Sequence, residues 1–317
     1  MKIGVMGTGG VGGYFGVFLA MAGHDIHFVA RGKHLQAIED EGLRLISNEQ
    51  TYRVNVHATS EPHEIGPVDL LLFCVKSYDT EGAARLIEPM VESETTILTL
   101  QNGIDNVDKL ARLYDIRQLM AGTAYIESTV TSPGVIVHKG PPGRIVFGEL
   151  DGSITERART IEKTFQDAQI DVRLTDRIQQ VLWEKFLFIC GVHGVGTISR
   201  SSIGQVLACP ETRKLLVGVM REVEEVARKR DISLPDDIVD RSMQLAESYD
   251  PRFRPSMLRD LEWRRPIEIE ALNGLVVKMG KEVGVETPLN FAIYAALKLE
   301  HKKIVDPYWA AVVEKTM

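Results

Sequence analysis

Cysteine is scarce in this chain. Three residues, Cys74, Cys190 and Cys209, are spread over 317. An odd, widely spaced set is no disulfide framework and has no metal-ligand spacing. A basic excess is also missing. The formal net charge is −7, which argues against nucleic acid or an anionic membrane as a partner. An anionic ligand would need a local basic site within this acidic whole. No stretch reads as an apolar run of the roughly 18 residues that a membrane span needs. No basic-then-apolar leader opens the sequence. Internal repeats and low-complexity segments are absent too. A reducing cytoplasm is the resulting expectation. The remaining composition, 44% hydrophobic and 26% charged, is that of a globular chain with a length suited to about two domains.

What is present begins at the N-terminus. The apolar strand pattern Met1-Lys2-Ile3-Gly4-Val5-Met6 runs into Gly7-Thr8-Gly9-Gly10-Val11-Gly12, and an apolar helical stretch follows. Strand, G-x-G-x-x-G and helix form the order that a dinucleotide-binding turn requires. Gly7 permits the tight turn, Gly9 lets the backbone approach a pyrophosphate, and Gly12 lets helix and strand pack closely. The helix N-terminus presents N–H groups to the phosphates, so residues 7–12 are the candidate cofactor cradle. The end of the second strand, His24-Asp25-Ile26-His27-Phe28-Val29-Ala30-Arg31, indicates which dinucleotide. Asp25 stands too early to hold a ribose 2′-OH. Arg31 stands just past the strand, with Lys33 close by, and a guanidinium suits a 2′-phosphate. NADP is therefore favoured over NAD.

Strands and helices alternate through the first half, which predicts a parallel, doubly wound sheet. Strands are expected at 2–6, 25–30, 68–75, 96–100, 119–125 and 144–147, with helices at 12–22, 33–41, 80–90 and 106–113. An antiparallel strip is expected from Tyr52–Val56 and from Gly134–His138, around the turn-rich Lys139-Gly140-Pro141-Pro142-Gly143. A helix at 154–168 and a strand at 172–174 close the domain. After about Asp176 strand signals almost vanish. Helical periods occupy 178–192, 210–230, 235–247, 267–283 and 289–300. The expectation is a dinucleotide domain over residues 1–176 and an all-α domain over 177–317, with a ligand cleft between them.

Several polar residues stand where the pattern alone does not ask for them. Lys76 follows the apolar strand Leu70–Val75, and Asn102 follows Thr96–Leu100. Both sit at carboxyl ends of strands, the ligand side of an open α/β sheet. Either is also compatible with a solvated strand end or an ordinary turn. Lys185 interrupts the apolar helix Val181-Leu182-Trp183-Glu184-Lys185-Phe186-Leu187-Phe188-Ile189-Cys190. An ammonium there must snorkel, pair or line a cleft. Desolvation lowers a lysine's pKa and suits it to proton transfer near neutrality. Glu268 follows Pro266, which reads as a first helical position, so the carboxylate would lie in a first turn favoured by the helix dipole. It is equally placed to orient Lys185 or hold a substrate hydroxyl. Ser256 reads as an N-cap or as a donor to a carboxylate ligand.

These residues together resemble the ketopantoate reductase family (2-dehydropantoate 2-reductases). The pieces are Gly7–Gly12, Val75-Lys76-Ser77-Tyr78-Asp79, Leu100-Gln101-Asn102-Gly103, Trp183-Glu184-Lys185-Phe186, Ser256-Met257-Leu258-Arg259-Asp260 and Glu268-Ile269-Glu270-Ala271-Leu272-Asn273-Gly274. The resemblance covers nearly the whole chain. It implies a Rossmann-type N-terminal domain and a helical C-terminal domain like that of 6-phosphogluconate dehydrogenase. It implies NADPH-dependent reduction of ketopantoate to pantoate, toward pantothenate and coenzyme A. Lys185 would then be the general acid and Glu268 its partner. Lys76 and Asn102 would lie near nicotinamide and substrate, and Ser256 would hold the substrate. Where the family pattern carries asparagines, this chain has Ile189, His193 and Ile203; His193 is the one able to replace a polar contact. The alternatives are reduction of another small 2-oxo acid, a non-catalytic NADPH sensor, or a β-hydroxy acid dehydrogenase. The long C-terminal helices would allow a homodimer.

Overall fold

The computed structural model describes residues 1–311. Its internal contacts separate two units, Met1–Ile178 and the chain from Gln179 onward.

The first unit runs β1 (Lys2–Met6), α1 (Gly10–Met21), β2 (Asp25–Val29), α2 (Gly32–Glu41), β3 (Leu43–Ser47), β4 (Gln50–Val54), β5 (His57–Thr59), β6 (Leu70–Phe73), α3 (Thr80–Leu86), β7 (Thr96–Thr99), α4 (Asn106–Leu110), β8 (Leu119–Ser132), β9 (Val135–Gly148), α5 (Glu156–Asp167) and β10 (Asp171–Leu174). They form one sheet in the order β4-β3-β9-β8-β7-β6-β1-β2-β5, with β10 beside β9. The stretch β5-β2-β1-β6-β7-β8 is parallel throughout. β2 and β5 lie on one side of β1, with the intervening β3 and β4 placed at the far end of the sheet beside β9, and β6 lies on the other side of β1. That change of side is the switch point at which an open α/β sheet binds ligands. Leu70, Leu71, Leu72 and Phe73 are all buried, as in a parallel strand covered on both faces. The doubly wound expectation therefore holds.

Local differences have identifiable causes. The helix expected over 80–90 stops at Leu86, and Glu88–Met90 forms a separate 3-10 turn. Pro89 lacks the N–H that would continue the helix. The turn-rich Lys139–Gly143 lies inside β9 rather than between strands. The β8–β9 pairing slips there, from Glu127↔Lys139 to Tyr125↔Arg144, so the extra residues bulge out of the ladder. The hairpin tip lies earlier, at Gly134, whose φ is +71°. Strands β3 and β5, short and weakly patterned, had no clear sequence signal.

The second unit holds α6 (Ile178–Ile198), α7 (Ile203–Ala208), α8 (Pro210–Lys229), α9 (Ile238–Ser248), α10 (Ser256–Glu262), α11 (Asn273–Val283), α12 (Pro288–Val305) and α13 (Pro307–Ala311). Among the described residues no strand follows β10. α6 amends the reading that no stretch reaches membrane length. Ile178–Ser199 is long and apolar enough by length and composition, yet 83% of its apolar window is buried. It has the character of a core helix, apolar nearly all round.

A buried polar network ties this unit together. Glu222 on α8 accepts hydrogen bonds from the backbone N–H groups of Leu289 (2.8 Å) and Asn290 (2.9 Å) at the start of α12. Its carboxylate thereby satisfies orphan donors at the positive end of that helix. It also accepts from Asn290 Nδ2, at 2.8 Å, and Asn290 Oδ1 accepts from Asn273 Nδ2, at 2.9 Å. Glu222→Ala takes the carboxylate away from the Leu289 and Asn290 backbone N–H groups, while Asn290 Nδ2 keeps the Val219 carbonyl at 3.2 Å; each unsatisfied group costs about 1–3 kcal/mol. The expected result is a loss of roughly 3 kcal/mol of stability, read by urea unfolding. A midpoint equal to wild type would refute the role.

Candidate functional site

The glycine turn closes the carboxyl end of β1. Gly7 has φ +98°, and a Cβ there would lie 2.9 Å from the backbone N of Val75, just past β6. Only glycine accepts both the conformation and the approach. A Cβ on Gly12 would come within 2.4 Å of the Gly7 carbonyl oxygen and 2.8 Å of Val5 Cγ1, so α1 packs directly on β1. Gly10 lies against the backbone of Ser128, its Cβ position 2.3 Å from the carbonyl oxygen. Gly9 differs from all of these. Nothing lies within 4 Å of its Cβ position. No packing inside the unit requires a glycine there, and the open space suits a ligand's approach. The Thr8 hydroxyl donates to the Val29 carbonyl at 3.0 Å, which ties the turn to β2. Val11 is partly buried against the sheet's core. The space beside Gly9, the α1 N-terminus and the strained Gly7 fit a dinucleotide pyrophosphate.

Around the turn stand the other first-unit candidates. Lys76 lies three residues past the end of β6 and is partly buried. Asn102 follows β7, ahead of Gly103 at φ +97°, and its carbonyl accepts from Asn106 Nδ2 at 2.9 Å. Arg31 begins α2 as its N-cap residue. Its guanidinium is 85% exposed and donates to Asp79 Oδ2 at 3.2 Å. An exposed pair of this kind contributes little, so exchanging Asp79 for a phosphate costs little.

Gln101 is a residue whose part sequence reasoning missed. It is buried, and its Nε2 donates to the Val75 carbonyl (3.0 Å) and to Thr80 Oγ1 (2.8 Å). Its Oε1 accepts from Thr99 Oγ1 at 3.1 Å. It thus bolts the segment carrying Lys76 to the end of β7, beside Asn102. The available signal was a long polar side chain immediately after an apolar strand.

In the second unit the candidates gather along α6. Lys185, Ile189 and His193 are spaced at i, i+4 and i+8, which puts them on one helix face. The Lys185 ammonium is pushed down to about 8 by burial, partly offset by the negative charge of Glu268. Glu268 is buried, so a carboxylate and an ammonium share a desolvated site. Glu268 does not lie in a helical first turn. Pro266 is not a first helical position, and α11 begins only at Asn273. Residues 266–272 instead form a looped approach, with the Ile267 N–H donating to His301 Nδ1 (3.2 Å) and the Gly274 N–H to the Ile269 carbonyl (2.9 Å). Asn273 Nδ2 donates to the Cys190 carbonyl at 3.2 Å, so the loop's end is fastened to α6. This tertiary tie overrides the helix-start signal of Pro266 and replaces the helix dipole as the reason for a buried carboxylate.

Ser256 is the first residue of α10 rather than its cap, a position taken by Pro255. The Pro255 ring approaches Gly196 of α6, whose Cβ position lies 3.0 Å from the proline Cγ. The start of α10 therefore rests on the same helix that carries Lys185 and His193. Ile189 and Ile203 are 4% and 2% exposed. His193 is buried at 9% exposure. Among the described residues no group of three or more His, Cys, Asp or Glu side chains is arranged to hold a metal ion.

Two family models match this chain. "Ketopantoate reductase PanE/ApbA" covers residues 3–152, and "Ketopantoate reductase PanE/ApbA C terminal" covers residues 177–301. The 2-dehydropantoate 2-reductase structure from Geobacter metallireducens GS-15 is 32% identical, with a TM-score of 0.89, over 94% of this chain and 99% of that one. The uncharacterized oxidoreductase YkpB of Bacillus subtilis (strain 168) is 28% identical over 94% of this chain and 98% of its own length. A ternary structure of D-mandelate dehydrogenase with NADH and anilino(oxo)acetate has a TM-score of 0.90 over 96% of this chain and 99% of that one. At 21% identity it shows a shared fold.

Proposed function

The chain belongs to the ketopantoate reductase family, and on that premise we propose that it reduces a small 2-oxo acid with NADPH, ketopantoate being the first candidate. The observation that carries the reading is Lys185, a desolvated ammonium beside the buried Glu268, with a pKa of about 8. Such a group holds a proton at neutral pH and releases it readily. The bound nicotinamide would supply hydride to the carbonyl carbon. Negative charge then grows on the carbonyl oxygen, and Lys185 delivers a proton to it. Glu268 keeps Lys185 protonated and oriented. Residues 7–12 hold the pyrophosphate, and Arg31 takes the 2′-phosphate. Lys76 and Asn102 bind at the nicotinamide end, while His193 and Ser256 hold the substrate. The assay is NADPH oxidation against a panel of 2-oxo acids that includes ketopantoate. No oxidation with any of them would overturn the reading.

Reduction of a different 2-oxo acid is favoured by one feature, the buried Ile189 and Ile203. Their side chains offer no hydrogen bond to a substrate hydroxyl, and such bonds dominate discrimination between polar and apolar analogues. The fold neighbour with NADH and anilino(oxo)acetate makes an aryl 2-oxo acid a useful member of the panel. Greater kcat/KM for that compound than for ketopantoate would select this reading.

The pH dependence follows from the sign of the Lys185 shift. A proton donor must be charged, and Lys185 loses its proton as pH rises through about 8. Turnover is expected to fall on that alkaline limb. Glu268 raises the lysine's pKa, so Glu268→Gln moves the limb to lower pH. An unchanged limb in that variant would separate Glu268 from the proton donor. For the cofactor, Arg31→Ala is expected to weaken NADPH binding about tenfold, the usual scale of a charge-assisted hydrogen-bond pair, with NADH binding unaltered. Equal losses for both dinucleotides would remove Arg31 from phosphate recognition.

A further inference from the structure

His34, on the first turn of α2, bridges two backbone segments far from it in sequence. Its Nδ1 lies 3.0 Å from the backbone N of Gly134. Its Nε2 lies 2.8 Å from the carbonyl oxygen of Thr8. A peptide N–H can only donate, so Nδ1 must be the bare nitrogen. Nε2 then carries the hydrogen and donates it to Thr8. Both ring nitrogens are used, and the neutral tautomer is fixed by the partners. Burial also lowers the imidazole's pKa, which keeps the ring neutral.

The bond to Thr8 has a consequence one atom group further on. The Thr8–Gly9 peptide is trans. In a planar trans peptide the carbonyl and the following N–H point in opposite directions. Holding the Thr8 carbonyl toward α2 therefore directs the Gly9 N–H away from it. Gly9 borders open space, with nothing within 4 Å of its Cβ position. A peptide adjoining glycine flips at low steric cost, so the plane needs an external tie. The Thr8 hydroxyl, bonded to Val29, anchors the side chain and leaves the plane free to rotate. The other end of the tie is itself secured. Gly134 sits at the hairpin tip with φ +71°, and its Cβ position is 3.0 Å from Ala37 Cβ on α2.

We infer that His34 is a positioning residue for the glycine turn: by holding the Thr8 carbonyl it aims the Gly9 N–H at the pyrophosphate of a bound dinucleotide. This rests on the dinucleotide reading of the turn. It adds that the turn's preorganisation is supplied by a side chain from α2 and the hairpin tip, outside the G-x-G-x-x-G segment.

The test titrates NADPH into wild type, His34→Gln and His34→Asn, with melting temperature and kcat at saturating NADPH measured alongside. Gln places an amide N–H near the Nε2 position and keeps the donor to Thr8. Asn keeps an acceptor near the Nδ1 position, for Gly134, and is too short to reach Thr8. The expected result is an NADPH Kd about tenfold weaker in H34N, the scale of one hydrogen bond. H34Q should stay within threefold of wild type, and kcat at saturation should hold in both. His34→Leu, which loses both bonds, serves as a second donor-less variant and should bind at least as weakly as H34N. Wild-type affinity in the donor-less variants, or equal loss in H34Q and H34N, would overturn the inference. A lowered melting temperature with unchanged Kd would assign His34 a structural role and overturn it equally. Wild type that binds neither NADPH nor NADH would instead sink the dinucleotide reading itself.

Discussion

Lys185→Ala is expected to lower kcat about a thousandfold while NADPH still binds with near wild-type affinity. General acid catalysis by one positioned group contributes about 10²–10⁴-fold. Meeting charge on a developing oxyanion in a desolvated site adds to that. The effect should fall on kcat, because the ammonium interacts most strongly once the oxygen carries charge. Lys185→Arg should not restore activity. A guanidinium keeps its proton at any accessible pH and is a poor donor for transfer. Stopped-flow measurement of the hydride step separates this loss from slow product release. Turnover within tenfold of wild type in the alanine variant would remove Lys185 from the chemistry.

The second large effect is expected at Gly12, and its control at Gly9. Gly12→Ala puts a methyl group 2.4 Å from a backbone oxygen. No rotamer change relieves a backbone clash, so α1 must move off β1. Overpacking of this kind costs about 1–3 kcal/mol. The shift also displaces the helix N-terminus that faces the phosphates, and NADPH affinity should fall about a hundredfold. Gly9→Ala meets nothing inside the unit, and its φ of −88° is open to alanine. That variant should keep the wild-type melting temperature and still bind NADPH at least tenfold more weakly, since the methyl group occupies the ligand's space. The two variants thus separate a glycine needed by the fold from one needed by the ligand. A Gly9→Ala protein that binds NADPH normally would show that the open space is not the pyrophosphate's.

Much of this molecule was legible in the residues. β1, α2 and β10 fall within a residue or so of their sequence-read limits, because apolar periodicity and glycine punctuation coincide there. α6 was legible as a buried helix from its nearly unbroken apolar run, although it extends to Ile198, well past Val192. The weak places were those where distant contacts outweigh local preference. Pro266 looks like a helix start, yet the Ile267 N–H is taken by His301 on α12. Lys139–Gly143 looks like a turn, yet β8 holds both flanks of it in the ladder and only the middle bulges. Gln101 is marked locally only as a polar side chain after an apolar strand, and its three bonds go to partners from β7, from the chain after β6 and from α3.

By itself the sequence determined the doubly wound first unit, the helical second one and the glycine turn at the switch point. Those depend on short-range quantities: period, strand length and the lack of a Cβ. It also marked Lys185, because a charge inside an apolar helix is visible without coordinates. Tertiary structure decided what surrounds each marked residue. It brought Glu268 to Lys185 on a loop rather than a helix, and the balance of burial against that charge leaves the ammonium near 8. It also brought His34 under the glycine turn, from a helix that the sequence gives no reason to connect with it. Desolvation and hydrogen-bond direction are properties of three-dimensional neighbourhoods, and no spacing along the chain encodes them.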